Sequence, residues 1–340
     1  MALLAALCAL SKSHNFNFSV FHVEHGLRPP DESLGDAGFV LDFCRQNGIE
    51  CKIKHIPRGK IALFAKKKGT GIEAAARYFR HRALRSEATR QIKQENGESL
   101  SDCSNDQDRK KAVILFAHTK DDLLETTLMR ILCGAGPAGL SAMRPRIREQ
   151  RSETRDRRTI EIARPILKMT RADVINYLNA KNILWREDST NNDEKFLRNR
   201  IRRSLTPFLT ETFPQWKKGI AALGETQSLV SGFLSGEAKK RIKWERDFLP
   251  QYVSANEEKF FAQPEIIREE AVFYGIDIMA FGKKILSKSV KRSVVRKFCE
   301  GSINAADFGF TRIRRENGKI FLSCKQKDVF ERGISRLTED

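Results

Sequence analysis

The chain has 340 residues, 40% hydrophobic and 31% charged, which is enough for two domains and unlike a disordered or fibrous protein. Sixty-two Lys and Arg against 43 Asp and Glu leave a formal charge of +19, which points to a polyanionic partner, nucleic acid first. No apolar run nears the roughly 18 residues a membrane-spanning helix needs. Seven scattered cysteines without a C-x-x-C pair fit free thiols in a reducing cytoplasm and give no zinc or iron–sulfur signature.

In chain order, the apolar opening Met1 to Leu10 has no basic start and no small-residue cleavage site, so it reads as a helix inside a fold rather than a signal peptide. A strand over Phe18 to Val23 follows, then a helix from about Asp36 to Asn47 and a short strand from Cys51 to Ile56. A longer helix runs from about Ile72 to Arg90. Ala112 to Ala117 is a third strand, followed by a helix through Glu125 to Leu132. Strands separated by helices of this length imply βαβ units and a parallel sheet, whose ligand sits at the C-terminal strand ends. Two polar stretches, Gln91 to Lys111 and the arginine-rich Arg144 to Arg158, read as inserted loops, the second as a solvated loop rather than a flap that touches a polyanion. From about Thr206 the pattern is helical, ending in a β-like segment, Phe310 to Ser323, with a hairpin turn at Asn317-Gly318.

The main chemical constellation begins where the third strand meets its helix. His118, Asp121, Asp122 and Glu125 gather there, Asp122 and Glu125 sharing one helix face three residues apart. Such carboxylates suit Mg²⁺ beside phosphates or an ammonium group; they also suit mere helix capping. Gly134, Gly136 and Gly139 with Pro137 form a loop that exposes backbone N–H groups or simply closes a helix, and it matches neither standard phosphate-loop pattern. Arg77, four residues after Glu73, is a surface ion pair or a phosphate fork. His22 and His25 lack a third nearby metal ligand, which leaves nucleotide contact or a structural role. Arg198, Arg200, Arg202 and Arg203 read as one basic patch. The stretch Lys283 to Lys297, which includes Lys291, Arg292 and Arg296, carries seven cations and no acid and reads as another.

These residues, in order, resemble the tRNA(Ile)-lysidine synthetase family of PP-loop ATP pyrophosphatases. The resemblance runs from residue 1 to about 205 through His22 to Arg28, Gly71 to Arg77, His118 to Thr126, Gly136 to Leu140, Arg164 to Leu167, Trp185 to Asp188 and Arg198 to Arg202. It implies an α/β, parallel-sheet, doubly wound nucleotide-binding domain of the adenine nucleotide alpha hydrolase kind over 1–205, then a smaller, mainly helical tRNA-binding domain over 206–340. It also implies ATP and Mg²⁺ as cofactors, L-lysine and the CAU-anticodon isoleucine tRNA as partners, and a homodimer. The implied reaction joins lysine to the wobble cytidine through an adenylated cytidine, releasing AMP and pyrophosphate. By that analogy Asp121, Asp122, Glu125 and Arg77 act in catalysis and Asp122 meets the metal. His118, His22, His25, Gly134 and Gly136 face the nucleotide, and Arg198, Arg202, Arg203, Lys291 and Arg292 face the tRNA.

The sequence departs from the family in one place. The Ser-Gly-Gly-x-Asp-Ser loop is absent, and Met1-Ala2-Leu3-Leu4 resembles the residues that follow it, so translation is expected to begin upstream. Two alternatives are a tRNA-binding remnant without catalysis and another PP-loop tRNA modifier; the lack of C-x-x-C pairs weighs against a thiolase.

Overall fold

In the computed structural model the described residues are 1–96, 111–141, 143–150, 159–187, 197–247, 252–279, 292–308 and 311–324. The chain divides into two compact units. The first comprises Met1–Cys133, Ala142–Gln150 and Arg158–Ile220, and the second comprises Gly134–Ser141 together with the described residues from Ala221 on.

The first unit opens with α1 (Ala2–His14), β1 (Val20–Glu24), α2 (Pro30–Gln46) and β2 (Cys51–His55). Helix α2 starts six residues before the expected Asp36, because Pro30 at its first position presets φ and Asp31 and Glu32 suit the positive end of the helix. Next come α3 (Lys60–Lys68), which the sequence reading missed, and α4 (Ile72–Asn96). Then follow β3 (Lys111–Leu115) and α5 (Lys120–Leu132). The short α6 (Pro137–Leu140) belongs to the second unit. The first unit resumes with β4 (Arg146–Gln150), β5 (Thr159–Ala163), α7 (Arg171–Ala180) and α8 (Leu197–Arg200), which passes through a π-helical turn at Ile201–Leu205 into α9 (Thr206–Thr212).

Parallel pairing is the rule here: β1 pairs with β2 from Val20↔Cys51 to Glu24↔His55, and β3 with β5 from Lys111↔Thr159 to Leu115↔Ala163. Strand β4 adds to β5 antiparallel. Two expectations change. The polar stretch from Gln91 begins as the last turns of α4, and the arginine-rich stretch begins as β4 rather than as a loop. Register explains the second, since Arg146 and Arg148 face Ala163 and Glu161, and Arg146 pairs with the buried Glu161 carboxylate at 2.5 Å. The remainders, 97–110 and 151–158, lie outside the described residues.

Helix α4 organises this unit. Its first half packs Ala75 and Phe79 with Ile56 and Ile61, and its second half packs Ala88 and Ile92 with Ile114, Ile160 and Ile162. Gln91 Nε2 then donates to Ser19 Oγ at 2.7 Å, tying the helix to the start of β1. One helix thus spans both strand pairs, and its N-terminal turns reach the C-terminal strand ends.

Helix α10 (Trp216–Arg241) leads into the second unit, with β6 (Glu245–Asp247), β7 (Tyr252–Asn256), α11 (Glu257–Phe261), α12 (Glu265–Met279), α13 (Arg292–Cys299), β8 (Ala305–Phe308), β9 (Thr311–Glu316) and β10 (Lys319–Cys324). The helices expected here share the unit with a five-stranded antiparallel sheet in the order β6-β7-β10-β9-β8. The hairpin turn is as read: Asn317 and Gly318 both have positive φ, 49° and 72°, the signature of a tight two-residue connection. Phe260, Phe298, Ile276, Ile313 and Ile320 are fully buried between helices and sheet. Gly275 permits that contact, since a Cβ there would lie 2.5 Å from Leu322 Cδ1 and 2.7 Å from Trp244 Cε2.

Candidate functional site

The candidate site lies in the first unit, where β3 hands over to α5. Thr119 caps the helix and forms a reciprocal pair with Asp122: Asp122 Oδ2 accepts from the Thr119 N–H at 2.8 Å and from its hydroxyl at 2.9 Å. The capping reading is therefore correct for half of Asp122. Its other oxygen, Oδ1, accepts from Arg198 Nη2 at 2.6 Å. Burial pushes the Asp122 carboxyl up, but the Thr119 N–H, Arg198 and the Thr119 hydroxyl together hold it below the usual carboxylate range.

Glu125, one turn further and 5% exposed, is gripped by two guanidiniums. Its Oε2 accepts from Arg198 Nε at 2.8 Å and Arg202 Nη2 at 2.9 Å, and its Oε1 from Arg202 Nε at 2.7 Å. Asp121 does not join this pair. Its Oδ2 accepts from the Arg171 backbone N–H at 2.7 Å, so it caps α7 instead. The structure thus brings together Asp122, Glu125, Arg198 and Arg202, and turns Asp121 elsewhere.

Around these acids lies an excess of positive charge. Burial lowers the affinity of Arg77, Arg80, Arg130 and Arg164 for their protons, and mutual repulsion adds to it: Arg198 and Arg77 act on Arg80, and Arg77 acts on Arg130 and Arg164. Arg80 Nε is buried without a hydrogen-bond partner. The neighbouring histidines are kept neutral by burial and by these cations. His118 is pushed down to about 4, with Arg164 the next cause; His25 goes to about 4, with Arg80 next; His81 goes to about 3, with Arg77 next. His22 is also lowered, chiefly by burial. Arg164 Nε donates to His118 Nδ1 at 3.2 Å, which leaves the His118 proton on Nε2, because a guanidinium can only donate. His25 Nδ1 and His81 Nε2 are buried and unpartnered. His25 just beyond β1 and His118 just beyond β3 thus share one basin of guanidiniums, at the strand ends where a ligand was expected.

Arg80, His81, Arg130 and the pairing role of Arg164 escaped the sequence reading. The signal for the first was available, since Arg77 and Arg80 are three apart on α4; the others join only through folding. Two further arginines anchor the edge of the unit: Asp36 pairs with Arg28 and accepts from Arg186 Nε at 2.6 Å across 150 residues of sequence.

Other expected residues lie elsewhere. Gly134 and Gly136 belong to the second unit. Gly134 closes α5 with φ +67°, and a Cβ on Gly136 would lie 1.9 Å from Arg292 Nη1, so both have local structural reasons. Arg292 donates from Nε to the buried Glu269 at 2.9 Å, beside Arg296, which does the same at 2.9 Å. Arg203 is exposed, and Lys291 lies outside the described residues.

The parallel pairs, the helix N-terminus at the end of β3 and the cationic basin define an α/β unit built to receive a phosphorylated ligand. The PP-loop domain family matches residues 1–96 and 98–209, and the chain belongs to that family. Over 248 residues it is 34% identical to the tRNA(Ile)-lysidine synthase of Treponema denticola, covering 73% of this chain and 47% of that protein. It is 31% identical over 255 residues to that of Thermus thermophilus (74% and 42%) and 28% identical over 306 residues to that of Solibacter usitatus (89% and 56%). The chain spans about half the length of the curated relatives it matches. A solved U34-tRNA thiolase, NcsA of Methanococcus maripaludis, superposes with a TM-score of 0.46 at 15% identity, covering 66% of this chain and 67% of that one.

Proposed function

We propose that the chain carries out the ATP-dependent ligation of L-lysine to the wobble cytidine of the CAU-anticodon isoleucine tRNA, residues 1–205 handling the nucleotide and residues 206–340 contributing to tRNA binding. The observation that carries this reading is the basin of half-buried Arg77 and Arg80 and buried Arg164 beside the acidic pair Asp122 and Glu125. Glu73 is the acid that favours the charge of Arg77 and Arg80, the cations around it outnumber it, and Arg80 Nε has no partner, so the triphosphate of ATP and the RNA backbone are both anions that suit the basin.

ATP fits this basin. Its adenylyl group makes the cytidine carbonyl oxygen a leaving group when bound. Arg164 would hold a phosphate oxygen of ATP and neutral His118 would donate from Nε2 without adding charge, while Arg77 and Arg80 would face the RNA backbone. Mg²⁺ does not fit a protein-built site: among the described residues no group of three or more His, Cys, Asp or Glu is placed to hold a metal ion, and both oxygens of Asp122 are already engaged. No step is therefore assigned to it. The acids suit the amine instead. An ammonium that took the place of one guanidinium between Asp122 and Glu125 would be oriented by both carboxylates, which can assist the loss of its proton before attack.

The test is incubation of the protein with ATP, radiolabelled L-lysine and CAU isoleucine tRNA. Label fixed to the wobble cytidine, with lysine-dependent release of AMP, supports the reading. Retention of the tRNA without fixed label, at any ATP concentration, replaces it with RNA binding alone.

A further inference from the structure

Helix α3 carries its charges in an arrangement that works against its own stability. Between Glu50 and Glu73 the chain has seven Lys and Arg and no Asp or Glu, and four of them lie on this nine-residue helix: Lys60, Lys66, Lys67 and Lys68. The negative end of the helix accounts for the three in its last turn. It does not account for Lys60, which stands in the first turn, where no acid sits and Gly59 gives no side-chain cap. Lys60, Lys66 and Lys67 are exposed, and none of them has an ion pair among the described residues. Ile61 and Ala65, one turn apart, pack inward with Ala75 and Phe79 of α4. Lys60 and Lys67 therefore fall on the opposite side, about 10 Å apart along the axis, with Lys66 beside them.

The helix starts on the rim of the arginine basin. The Ile56 N–H donates to the Glu24 carbonyl at 2.9 Å, and Arg58 Nη2 donates to the Arg28 carbonyl at 2.8 Å. A Cβ on Gly26 would lie 2.8 Å from the Ile56 oxygen, so the segment that opens α3 is packed on the turn that carries His25. The contact with Ala75 and Phe79 holds α3 to the same turns of α4 that carry Arg77 and Arg80. An RNA that places a nucleotide in the basin brings its neighbouring phosphates past this rim. A helix lying on a membrane also presents lysines, but it buries a broad apolar face, and the exposed apolar residues of α3 are only Ala62 and Leu63.

We propose that Lys60, Lys66 and Lys67 form a docking surface for the phosphate backbone of the RNA stem next to the anticodon loop. This surface rests on the RNA reading above and adds a place for the stem: the basin takes the loop, and α3 takes the duplex that leaves it. Ammonium groups on flexible stems act as point charges, so the surface contributes affinity and orientation without choosing a sequence.

Filter binding of two labelled RNAs tests this: the stem-loop carrying the CAU anticodon, and its loop alone as a short oligonucleotide. Lys60→Gln/Lys66→Gln/Lys67→Gln is expected to bind the stem-loop about tenfold more weakly and to lower the slope of log affinity against log salt by about two units. The loop oligonucleotide is expected to bind as it does to wild type, and Lys→Arg at the same three positions is expected to keep the stem-loop affinity. The melting temperature of the triple Gln variant should equal or exceed that of wild type, because the loss of Lys60 relieves the helix start. If that variant melts early, Lys60→Gln alone decides, with an expected slope loss of somewhat under one unit. An unaltered slope overturns the surface and leaves the basin and the lysine reading standing. Equal weakening of the loop oligonucleotide overturns the assignment to the stem. Loss of binding to phosphatidylserine vesicles with RNA affinity intact overturns RNA as the occupant in favour of a membrane. If wild type fixes no lysine to tRNA and the triple variant still loses stem-loop affinity, the ligation reading fails and this surface stands.

Discussion

Each unit of this molecule buries a glutamate between two arginines spaced four apart on a helical segment: Glu125 with Arg198 and Arg202, and Glu269 with Arg292 and Arg296. The local pairing is the same and the surroundings are opposite. Glu269 sits at the edge of an apolar core, with the Arg292 guanidinium over the Phe273 ring at 5.7 Å, and the second acid at its clamp, Glu265, is exposed and reaches only Arg296, at 3.6 Å. Glu125 shares Arg198 with Asp122, next to guanidiniums and histidines that are buried without full partners. A clamp whose charges close on themselves holds helices together. A clamp that borders uncompensated charge is ready for exchange with a ligand. The surroundings, not the pair, carry the functional information.

Glu269→Ala breaks the comparison most severely. It leaves Arg292 unpaired beside the core while the exposed Arg296 keeps Glu265, and is expected to cost about 1–3 kcal/mol of stability, read by urea unfolding. Asp122→Ala is expected to lower lysine incorporation by about 10²–10⁴-fold. Through the lost capping box it should cost only about 0.5–2 kcal/mol. If stability fell as far in Asp122→Ala as in Glu269→Ala, with incorporation intact, the two clamps would be alike and both structural.

The histidines sharpen the contrast through pH. His118 and His25 are held near 4 and His81 near 3 in the folded chain, against an ordinary 6.5, and all three lie in the first unit. Because the folded state keeps them neutral, the unfolded state binds more protons below 6.5, so their contribution is complete above pH 6.5 and is lost as pH falls from 6.5 toward 4. His118→Gln should flatten the decline of unfolding free energy over that window, and an unchanged slope would mean His118 is protonated in the folded chain. The smallest effect belongs to Gly136→Ala, which displaces Arg292 from Glu269. It is expected to cost about 1–2 kcal/mol without altering lysine incorporation, and melting temperature and incorporation measured together check it.

Much of the first unit was legible. The apolar runs at β1, β2 and β3 announce parallel strands, and the Thr119-x-x-Asp122 spacing announces a helix start with acids at its first turn. Of the basin, Arg77 was legible and Arg80, three residues on, could have been, but the convergence of Arg80 and Arg164 on His118 is a product of folding. The pairing of Asp122 and Glu125 with arginines more than 70 positions away has no local signal. In the second unit the helices were legible, but β6 is three charged residues and β8 only four residues long, too short to show the alternation that marks a half-buried strand. Arg292 read as part of a basic patch facing tRNA; only the burial of Glu269 reveals its structural commitment.

The central claim is that the guanidiniums of the first unit, not the clamp of the second, receive the RNA. The most direct measurement is the salt dependence of stem-loop affinity in wild type, in Arg77→Ala/Arg80→Ala and in Arg296→Ala. The double variant is expected to lower the slope of log affinity against log salt by about one to two units while Arg296→Ala leaves it unchanged. An unaltered slope in the double variant, or a loss confined to Arg296→Ala, would contradict it.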